Sequence, residues 1–217
     1  MRKLVVNTFI SLDGVMQAPG DPQEDPTGGF PHGGWSFNYW DDVMGQVMEE
    51  AMATPYDLLL GRRTYQIFAA HWPYSTEEPA AASLNAAHKY VASRSLQQTS
   101  WGPATLIRDV PGEVEKLKAG DGVEIQVHGS ADLLQTLLKH QLIDELRVWT
   151  FPVLLGGGKR LFGDGIAPGG LKLVSSTVAT TGVIIATYQP AGAIPYGSFA
   201  LEDPTPEEVE RRSHRGA

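Results

Sequence analysis

The first stretch of the sequence whose residue types suggest binding chemistry is Gly61-Arg62-Arg63-Thr64-Tyr65. It follows an apolar run at residues 57–60 and opens a predicted helix. A turn from strand to helix exposes backbone N–H groups at the positive end of the helix dipole, and these groups bind anions. Arginine and threonine add charged and hydroxyl donors that suit a phosphate. The sequence therefore predicts a phosphate site here; the alternative is a solvated helix start with ordinary surface arginines.

A second turn of the same kind is Val127-His128-Gly129-Ser130-Ala131. Gly129 lets the backbone come close to a ligand, and the helix predicted from Ala131 offers its N-terminus to a pyrophosphate. The alternative is a plain turn in which Ser130 caps the helix. A single histidine such as His128 is more often structural than catalytic.

A third glycine turn, Gly156-Gly157-Gly158-Lys159-Arg160, does not match a P-loop. That motif needs a glycine five residues before Gly158 and a serine or threonine after Lys159, where Val153 and Arg160 stand. Lys159 and Arg160 could bind an anion, and a basic surface turn is the alternative. The sequence has no cysteine, no G-x-G-x-x-G fingerprint, no G-x-S-x-G elbow and no H-x-x-x-H pair. We therefore expect no metal site and no serine or thiol chemistry.

Strand-like and helix-like runs alternate along the chain, which favours an α/β sheet covered by helices. The strands are expected at residues 4–10, 57–60, 91–93, 104–107, 123–127, 145–150, 171–174 and 183–188, the last two as an antiparallel pair. The helices are expected at residues 41–53, 112–118 and 131–140, with another at the first glycine turn and a short one after Thr205-Pro206.

Length and composition exclude several classes of protein. The chain has 217 residues, 42% of them hydrophobic, which suits one domain with a sizeable core. A net charge of −8 is not the basic footprint of a nucleic-acid binder, and no apolar run is long enough for a membrane span or resembles a signal peptide. After Pro190, glycine, proline and charge dominate. We expect a cytoplasmic protein with one domain over residues 1–190 and an appendage over residues 191–217.

Taken in order, these segments resemble the dihydrofolate reductase-like superfamily, especially the reductase domain of the riboflavin-biosynthesis deaminase–reductase. Ser11-Leu12-Asp13-Gly14 resembles the family's opening after its first strand, and the turns at Gly61 and Gly129 fall where its two NADPH turns lie. Residues 150–158 resemble the P-x-L-L-G-G-G segment of stand-alone members. The resemblance covers roughly residues 3–188.

The resemblance implies a three-layer fold with a central, mostly parallel, eight-stranded sheet, an antiparallel C-terminal edge and helices on both faces. NADPH would lie across the strand ends, with the backbone of Phe9 facing the nicotinamide and Met16 in the loop that closes over it. Residues of the later turns would bind its phosphates and adenosine: Gly61, Arg62, Arg63, Thr64, Ser93, Arg94, Gly129, Ser130, Ala131 and Leu133. The arginines favour NADPH over NADH, because the extra phosphate must be matched by charge.

The implied activity is hydride transfer from NADPH to a C=O or C=N group of a small substrate, as in 5-amino-6-(5-phosphoribosylamino)uracil reductase. The alternatives are dihydrofolate reductase-type activity on a pterin and a degenerate, non-catalytic nucleotide-binding protein. Trp35, Trp40, His128 and Thr150 would face the substrate. Asp41 or Asp42 would orient or protonate it, unless these acids only complement the helix dipole.

Three features depart from the family pattern. The chain lacks the zinc deaminase domain of the bifunctional enzymes, and the family's D-D-P stretch reads Ala69-Ala70-His71-Trp72-Pro73. His128 stands where an acidic residue is usual. The substrate pocket is therefore expected to have diverged.

Two further expectations concern the loop and the assembly. Residues 14–35 are rich in glycine and have prolines at positions 19, 22, 26 and 31, so we expect a mobile cover over the nicotinamide pocket. The alternative is a static loop packed by Phe30 and Trp35. The resemblance also implies a homodimer that pairs through its sheets, using the apolar strand near residues 183–188.

Overall fold

A mixed sheet of eight strands forms the centre of the computed structural model, which describes residues 1–164 and 166–214. The strands are β1 (Leu4–Ser11), β2 (Tyr56–Gly61), β3 (Lys89–Ala92), β4 (Ala104–Ile107), β5 (Glu124–Val127), β6 (Glu145–Phe151), β7 (Leu171–Val178) and β8 (Ile184–Pro190). Their order across the sheet is β4-β3-β2-β5-β1-β6-β8-β7. The first six run parallel, and β8 runs antiparallel to both of its neighbours.

Helices cover both faces of this sheet. They are α1 (Asp42–Met52), α2 (Arg62–His71), α3 (Pro79–Ala86), α4 (Val110–Ala119), α5 (Ala131–Lys139) and α6 (Pro206–Ser213). On one face, Val114 of α4 and Leu134 of α5 pack with Leu4 and Val6 of β1. On the other, α2 and α3 pack over β2, and α1 packs over the end of β6. The three-layer α/β expectation is confirmed.

The parallel strands decide where the predicted turns meet. β2 lies beside β5, and β5 beside β1, so the carboxyl ends of all three are at one edge of the sheet. The turn at Gly61 follows β2 and the turn at Gly129 follows β5. Residues separated by more than sixty positions in the chain are therefore neighbours in space, as ligand sites of parallel α/β sheets require.

The eight predicted strands are all present, and the C-terminal pair is antiparallel as expected. Helix α3 was not predicted from the sequence. Strand β7 extends to Val178, four residues beyond the predicted end, because an exposed edge strand tolerates the polar run Ser175-Ser176-Thr177. The predicted tail helix begins at Pro206, and Thr205 Oγ1 accepts a hydrogen bond from the backbone N–H of Glu208 at 3.3 Å. Residues 215–217 of the expected appendage lie outside the described residues, and the division at Pro190 stays a prediction.

Part of the strand surface expected to be exposed and apolar is buried. Val183, Ile185 and Ala186 are buried, whereas Ile184 is exposed. The edge strand β7 adds further exposed apolar side chains: Leu171, Leu173, Val174 and Val178. The homodimer stays a prediction. Among the described residues, no helix has the length and apolar character needed to cross a membrane.

Candidate active site

A cavity of about 2440 Å³ opens at the carboxyl ends of the parallel strands, bounded by α1 and by loop residues 14–35. It is large enough for a dinucleotide and a small substrate together. Most of the predicted site residues line it: Phe9, Met16, Trp40, Gly61, Arg62, Arg63, Thr64, Ser93, Arg94, His128, Gly129, Ser130, Ala131 and Leu133. The structure thus brings both predicted glycine turns to one site; the individual roles stay predictions.

Two helix N-termini meet at one end of the cavity, which we name the helix end and define by Gly61–Thr64 and Gly129–Ala131. Neither Gly61 nor Ser130 caps its helix with a side-chain hydrogen bond. Instead the hydroxyls of Thr64 and Ser130 bond to each other, with 2.5 Å between the two Oγ atoms. The first-turn N–H groups of α2 and α5 are therefore left without a side-chain cap, an arrangement that binds anions.

The two turns approach so closely that Gly61 has no room for a side chain. A Cβ there would lie 2.5 Å from the Cβ of Ser130. The turn of α5 reaches this position through two consecutive left-handed residues, Gly129 at φ 88° and Ser130 at φ 76°. A serine in that region is strained, and such strain is characteristic of functional turns.

The cations of the helix end fall into two groups. Arg62 and Arg94 are exposed and make no hydrogen bond or ion pair with any residue that the structure describes. Arg63 donates to Asp25 Oδ1 at 2.8 Å and also contacts Thr27. Arg62 and Arg94 thus have free guanidinium groups, whereas Arg63 is held by loop residues 14–35.

Asp25 ties that loop to the third glycine turn. Lys159 Nζ lies 2.5 Å from Asp25 Oδ2, and the amide of Gln17 donates to the carbonyls of Asp25 and Thr27 at 2.8 and 2.9 Å. Burial of Asp25 acts to raise the pKa of its carboxyl, but the hydrogen bonds from Lys159 and Thr27 and the charges of Lys159 and Arg63 lower it below 3.8. The Asp25 carboxylate therefore attaches loop residues 14–35 to the third glycine turn through its ion pair with Lys159.

Packing adds to this anchor. A Cβ at Gly158 would lie 2.6 Å from Val15 Cγ1, and Phe30 is buried in the same contact. Arg160, the other cation of the third turn, contacts the backbone carbonyl of Asp13 and donates to that of Gly156. The third turn therefore anchors the loop through these contacts; the mobility of the loop stays a prediction.

A second part of the cavity, the sheet end, is defined by Phe9, Trp40, Trp149 and the polar residues Asn7, Gln126 and His128. The indoles of Trp40 and Trp149 stack with their centroids 6.0 Å apart and their planes 8° apart. Phe9 packs against Trp149 at 5.2 Å between centroids. These aromatic rings form an apolar wall suited to a flat ligand.

Asn7 and Gln126 are residues that the sequence analysis missed, although both line the cavity. A signal was present in the sequence. Glu124, Gln126 and His128 alternate with the apolar Ile125 and Val127, which predicts one polar face on β5. Buried polar side chains need hydrogen-bond partners, so a polar face on a central strand often indicates a functional site.

Four predicted site residues do not line the cavity: Trp35, Asp41, Asp42 and Thr150. Asp41 accepts from the backbone N–H of Met44 at 2.9 Å, so it caps α1, and its other oxygen accepts from the backbone N–H and hydroxyl of Thr180, both at 2.7 Å. The hydrogen bonds from Thr180 and Met44 lower the pKa of its carboxyl. These contacts favour the structural interpretation of Asp41.

Trp35 and Thr150 lie behind the cavity wall. Trp35 packs edge-on against Phe151 at 5.2 Å and donates through Nε1 to the carbonyl of Gln17 at 2.8 Å. Thr150 lies between Trp149 and Phe151, whose side chains pack on the α1 face, so strand alternation places it on the other face. On α1 itself, Glu49 rather than either aspartate lines the cavity.

Comparison with protein families gives a match over most of the chain. The model of the RibD C-terminal domain matches residues 2–185. The uncharacterized protein YyaP of Bacillus subtilis (strain 168) is 28% identical over 196 residues, which are 86% of this chain and 94% of that protein.

Solved structures show the same fold at low identity. A protein of Shewanella sp. PV-4 assigned to riboflavin biosynthesis superposes with a TM-score of 0.60 and 22% identity, covering 88% of this chain and 99% of the other. A pyrimidine reductase-like protein of Corynebacterium diphtheriae superposes with a TM-score of 0.58 and 12% identity, covering 88% of this chain and 92% of that protein. Dihydrofolate reductase of Enterococcus faecalis, solved with NADP(H), superposes with a TM-score of 0.55 and 14% identity, covering 87% of this chain and 96% of that protein.

Proposed function

The chain belongs to the RibD C-terminal domain family, and we propose that it is an NADPH-dependent reductase acting on a C=O or C=N group of a small substrate. Its activity would resemble that of 5-amino-6-(5-phosphoribosylamino)uracil reductase. The observation that carries this proposal is the meeting of two uncapped helix N-termini beside free arginines in one large cavity. A dinucleotide phosphate is the ligand that this arrangement fits best.

The helix end fits the pyrophosphate of NADPH. The N–H groups of α2 and α5 and the hydroxyls of Thr64 and Ser130 would hold it, and Gly61 and Gly129 allow the close approach. Arg62 and Arg94 would hold the 2′-phosphate, since neither guanidinium is committed to another partner among the described residues. Matching of that phosphate by charge favours NADPH over NADH.

The sheet end would hold the substrate. NADPH, when bound, supplies the hydride. The exposed indole of Trp40, supported by the buried Trp149 stacked on it, provides an apolar surface. Loop residues 14–35 contact α2 through the ion pair of Asp25 with Arg63. The chain's part is therefore to bind both molecules, to orient them and to exclude water from the space between them.

Titration with NADPH tests the proposal directly, because Trp40 and Trp149 line the cavity and report on its occupation. We expect a saturable change of tryptophan fluorescence, with tighter binding of NADPH than of NADH. Consumption of NADPH is then followed by absorbance with a pyrimidine ribosylamine phosphate, dihydrofolate and simple ketones as candidate substrates. No fluorescence response at millimolar NADPH would refute the proposal, and binding without turnover would favour a non-catalytic member of the family.

A further inference from the structure

The floor of the sheet end is a hydrogen-bonded row of polar side chains on three adjacent strands. Gln126 on β5 is 1% exposed, and it contacts both Asn7 on β1 and His128 at the end of β5. Behind it, Glu124 pairs with Arg147 on β6 through two hydrogen bonds, each 3.2 Å long. Asn7, Gln126 and His128 line the cavity, whereas Glu124 and Arg147 lie behind them.

This row fixes the orientation of the Gln126 amide. Its Nε2 donates to Glu124 Oε1 at 2.9 Å and to the backbone carbonyl of Ala51 at 3.2 Å. Both partners are acceptors, so they bind the NH₂ group and exclude the reversed amide. Arg147 holds Glu124 in place and in turn donates to Glu145 at 2.8 Å. The carbonyl oxygen of Gln126 must therefore point toward His128 and Asn7.

The orientation of Gln126 in turn determines what its two neighbours present to the cavity. His128 Nε2 lies 2.9 Å from Gln126 Oε1 and must carry the proton, because an amide oxygen only accepts. Asn7 donates its Nδ2 to the same oxygen at 3.1 Å. His128 Nδ1 and Asn7 Oδ1 are then both acceptors, and the Asn7 amide keeps its second N–H as a donor.

These two acceptors are open to the cavity. Neither makes a hydrogen bond with a residue that the structure describes, and no buried side-chain nitrogen or oxygen in the described residues lacks a partner. Burial and the charge of Arg147 lower the pKa of His128 to about 4, so its ring stays neutral at physiological pH. The charged groups of this row are Glu124, Arg147 and Glu145.

We propose that His128 Nδ1 and Asn7 Oδ1 form an acceptor pair that selects ligands presenting N–H or O–H donors to the sheet end, and that Gln126 is the positioning residue that sets this polarity. The proposal rests on the proposed function in taking the sheet end as the substrate site. It assigns His128 to substrate selection rather than to proton donation, because its one N–H is committed to Gln126. A ligand offering only carbonyl oxygens to this pair would face two lone pairs, and burial without a hydrogen bond is costly.

The first experiment determines the imidazole tautomer by ¹⁵N NMR of the full chain, with the signal of His128 assigned by its absence in His128→Asn. We expect a neutral ring protonated at Nε2 from pH 5 to 8. In Gln126→Leu the accepting oxygen is gone, so this preference for the Nε2–H form is expected to be lost. A ring protonated at Nδ1, or charged at pH 7, in the wild type would overturn the proposal.

The second experiment uses two probes with the same pyrimidine ring, 2-aminopyrimidine, which has two N–H donors, and 2-(dimethylamino)pyrimidine, in which two methyl groups replace them. We expect the amino compound to shift the Nδ1 signal at millimolar concentration and the dimethylamino compound to leave it unchanged. In His128→Leu the affinity for the amino compound is expected to fall about tenfold, the range for one lost hydrogen bond. His128→Asn, which keeps an acceptor near the Nδ1 position, is expected to restore most of it.

Equal shifts from the two probes, or no shift from either, would overturn the selection of donors. Thermal unfolding of each variant identifies any that fails to fold, and the Leu and Asn variants then control for each other. Neither readout depends on NADPH. A failed NADPH titration with an intact Nε2–H tautomer would therefore refute the proposed function alone, and the reverse result would refute only the acceptor pair.

Discussion

The helix end and the sheet end of the cavity offer opposite hydrogen-bonding groups. The helix end presents donors, which are the N–H groups of α2 and α5 and the guanidinium groups of Arg62 and Arg94. The sheet end presents acceptors on a neutral floor, His128 Nδ1 and Asn7 Oδ1. One end is therefore built for negative charge and the other for a neutral ligand with donors. Substitutions at one end should leave the other end unchanged, and three predictions test that independence.

The largest effect is expected from Gly61→Ala. The added Cβ would collide with Ser130, so the two helix N-termini would have to move apart. Overpacking of this kind costs about 1–3 kcal/mol, and we expect NADPH binding to weaken about 100-fold in a fluorescence titration. His128 at the sheet end should keep its Nε2–H tautomer, because Gln126 holds that proton.

The control for this substitution is Gly197→Ala, because a Cβ there would have no heavy atom within 4 Å and the backbone is not left-handed. NADPH affinity in that variant should equal the wild-type value. An unchanged affinity in Gly61→Ala would show that the close approach of the two turns is not needed for binding.

A smaller and more selective effect is expected from Arg62→Ala and Arg94→Ala. Each removes a charge-assisted contact with the 2′-phosphate, and because both guanidinium groups are exposed we expect a loss of about 1–2 kcal/mol for NADPH and little for NADH. The measurement is the ratio of the two dissociation constants, with Arg212→Ala in the tail helix as control. Equal weakening of both cofactors would show that these arginines do not read the 2′-phosphate.

The third prediction concerns stability in acid rather than binding, and the sheet end should be the more sensitive of the two ends. Burial and then the charge of Arg147 lower the pKa of His128 from 6.5 to about 4. Above pH 6.5 the ring is neutral in both folded and unfolded chains, so it adds no pH dependence. Between pH 6.5 and 4 the unfolded chain takes up a proton that the folded chain does not, so the free energy of unfolding falls.

Urea unfolding of the wild type and of His128→Asn at each pH measures this slope, since the other titrating groups cancel in the difference. We expect the wild type to lose about 1–3 kcal/mol relative to the variant between pH 7 and 4. Parallel stability curves would show that His128 takes up its proton at the same pH in the folded and unfolded chains, so that burial does not keep the folded ring neutral below pH 6.5.

The order of strands and helices was largely predictable, because it depends on local patterns. Buried strands have continuous apolar runs. The tail helix was predicted because Thr205 can cap a helix and Pro206 suits its first position. Helix α3 was missed because its alanine-rich run from Pro79 lacks a clear division between apolar and polar positions. Both glycine turns were found because each joins a strand to a helix within five residues, and the parallel order of β2 and β5 then brings them together.

The chemistry of individual side chains depended on partners that are far away in the sequence. An aspartate at position 41 could act in catalysis or cap a helix, and only its hydrogen bonds with Met44 and Thr180 favour the role of helix cap. In the same way, Arg62 and Arg63 are adjacent and identical in type, yet Asp25 binds one and leaves the other free.

The strands and the two turns that can hold an anion were therefore readable from local sequence, since backbone N–H groups, glycine and helix dipoles act over a few residues. The polarity of the sheet end was not, because it depends on long-range contacts. The proton on His128 is placed by Gln126, and Gln126 is oriented by Glu124 and Ala51, which Arg147 and α1 hold in position. A hydrogen bond depends on the partner that comes within about 3 Å, and for this floor the partners come from four separate segments of the chain.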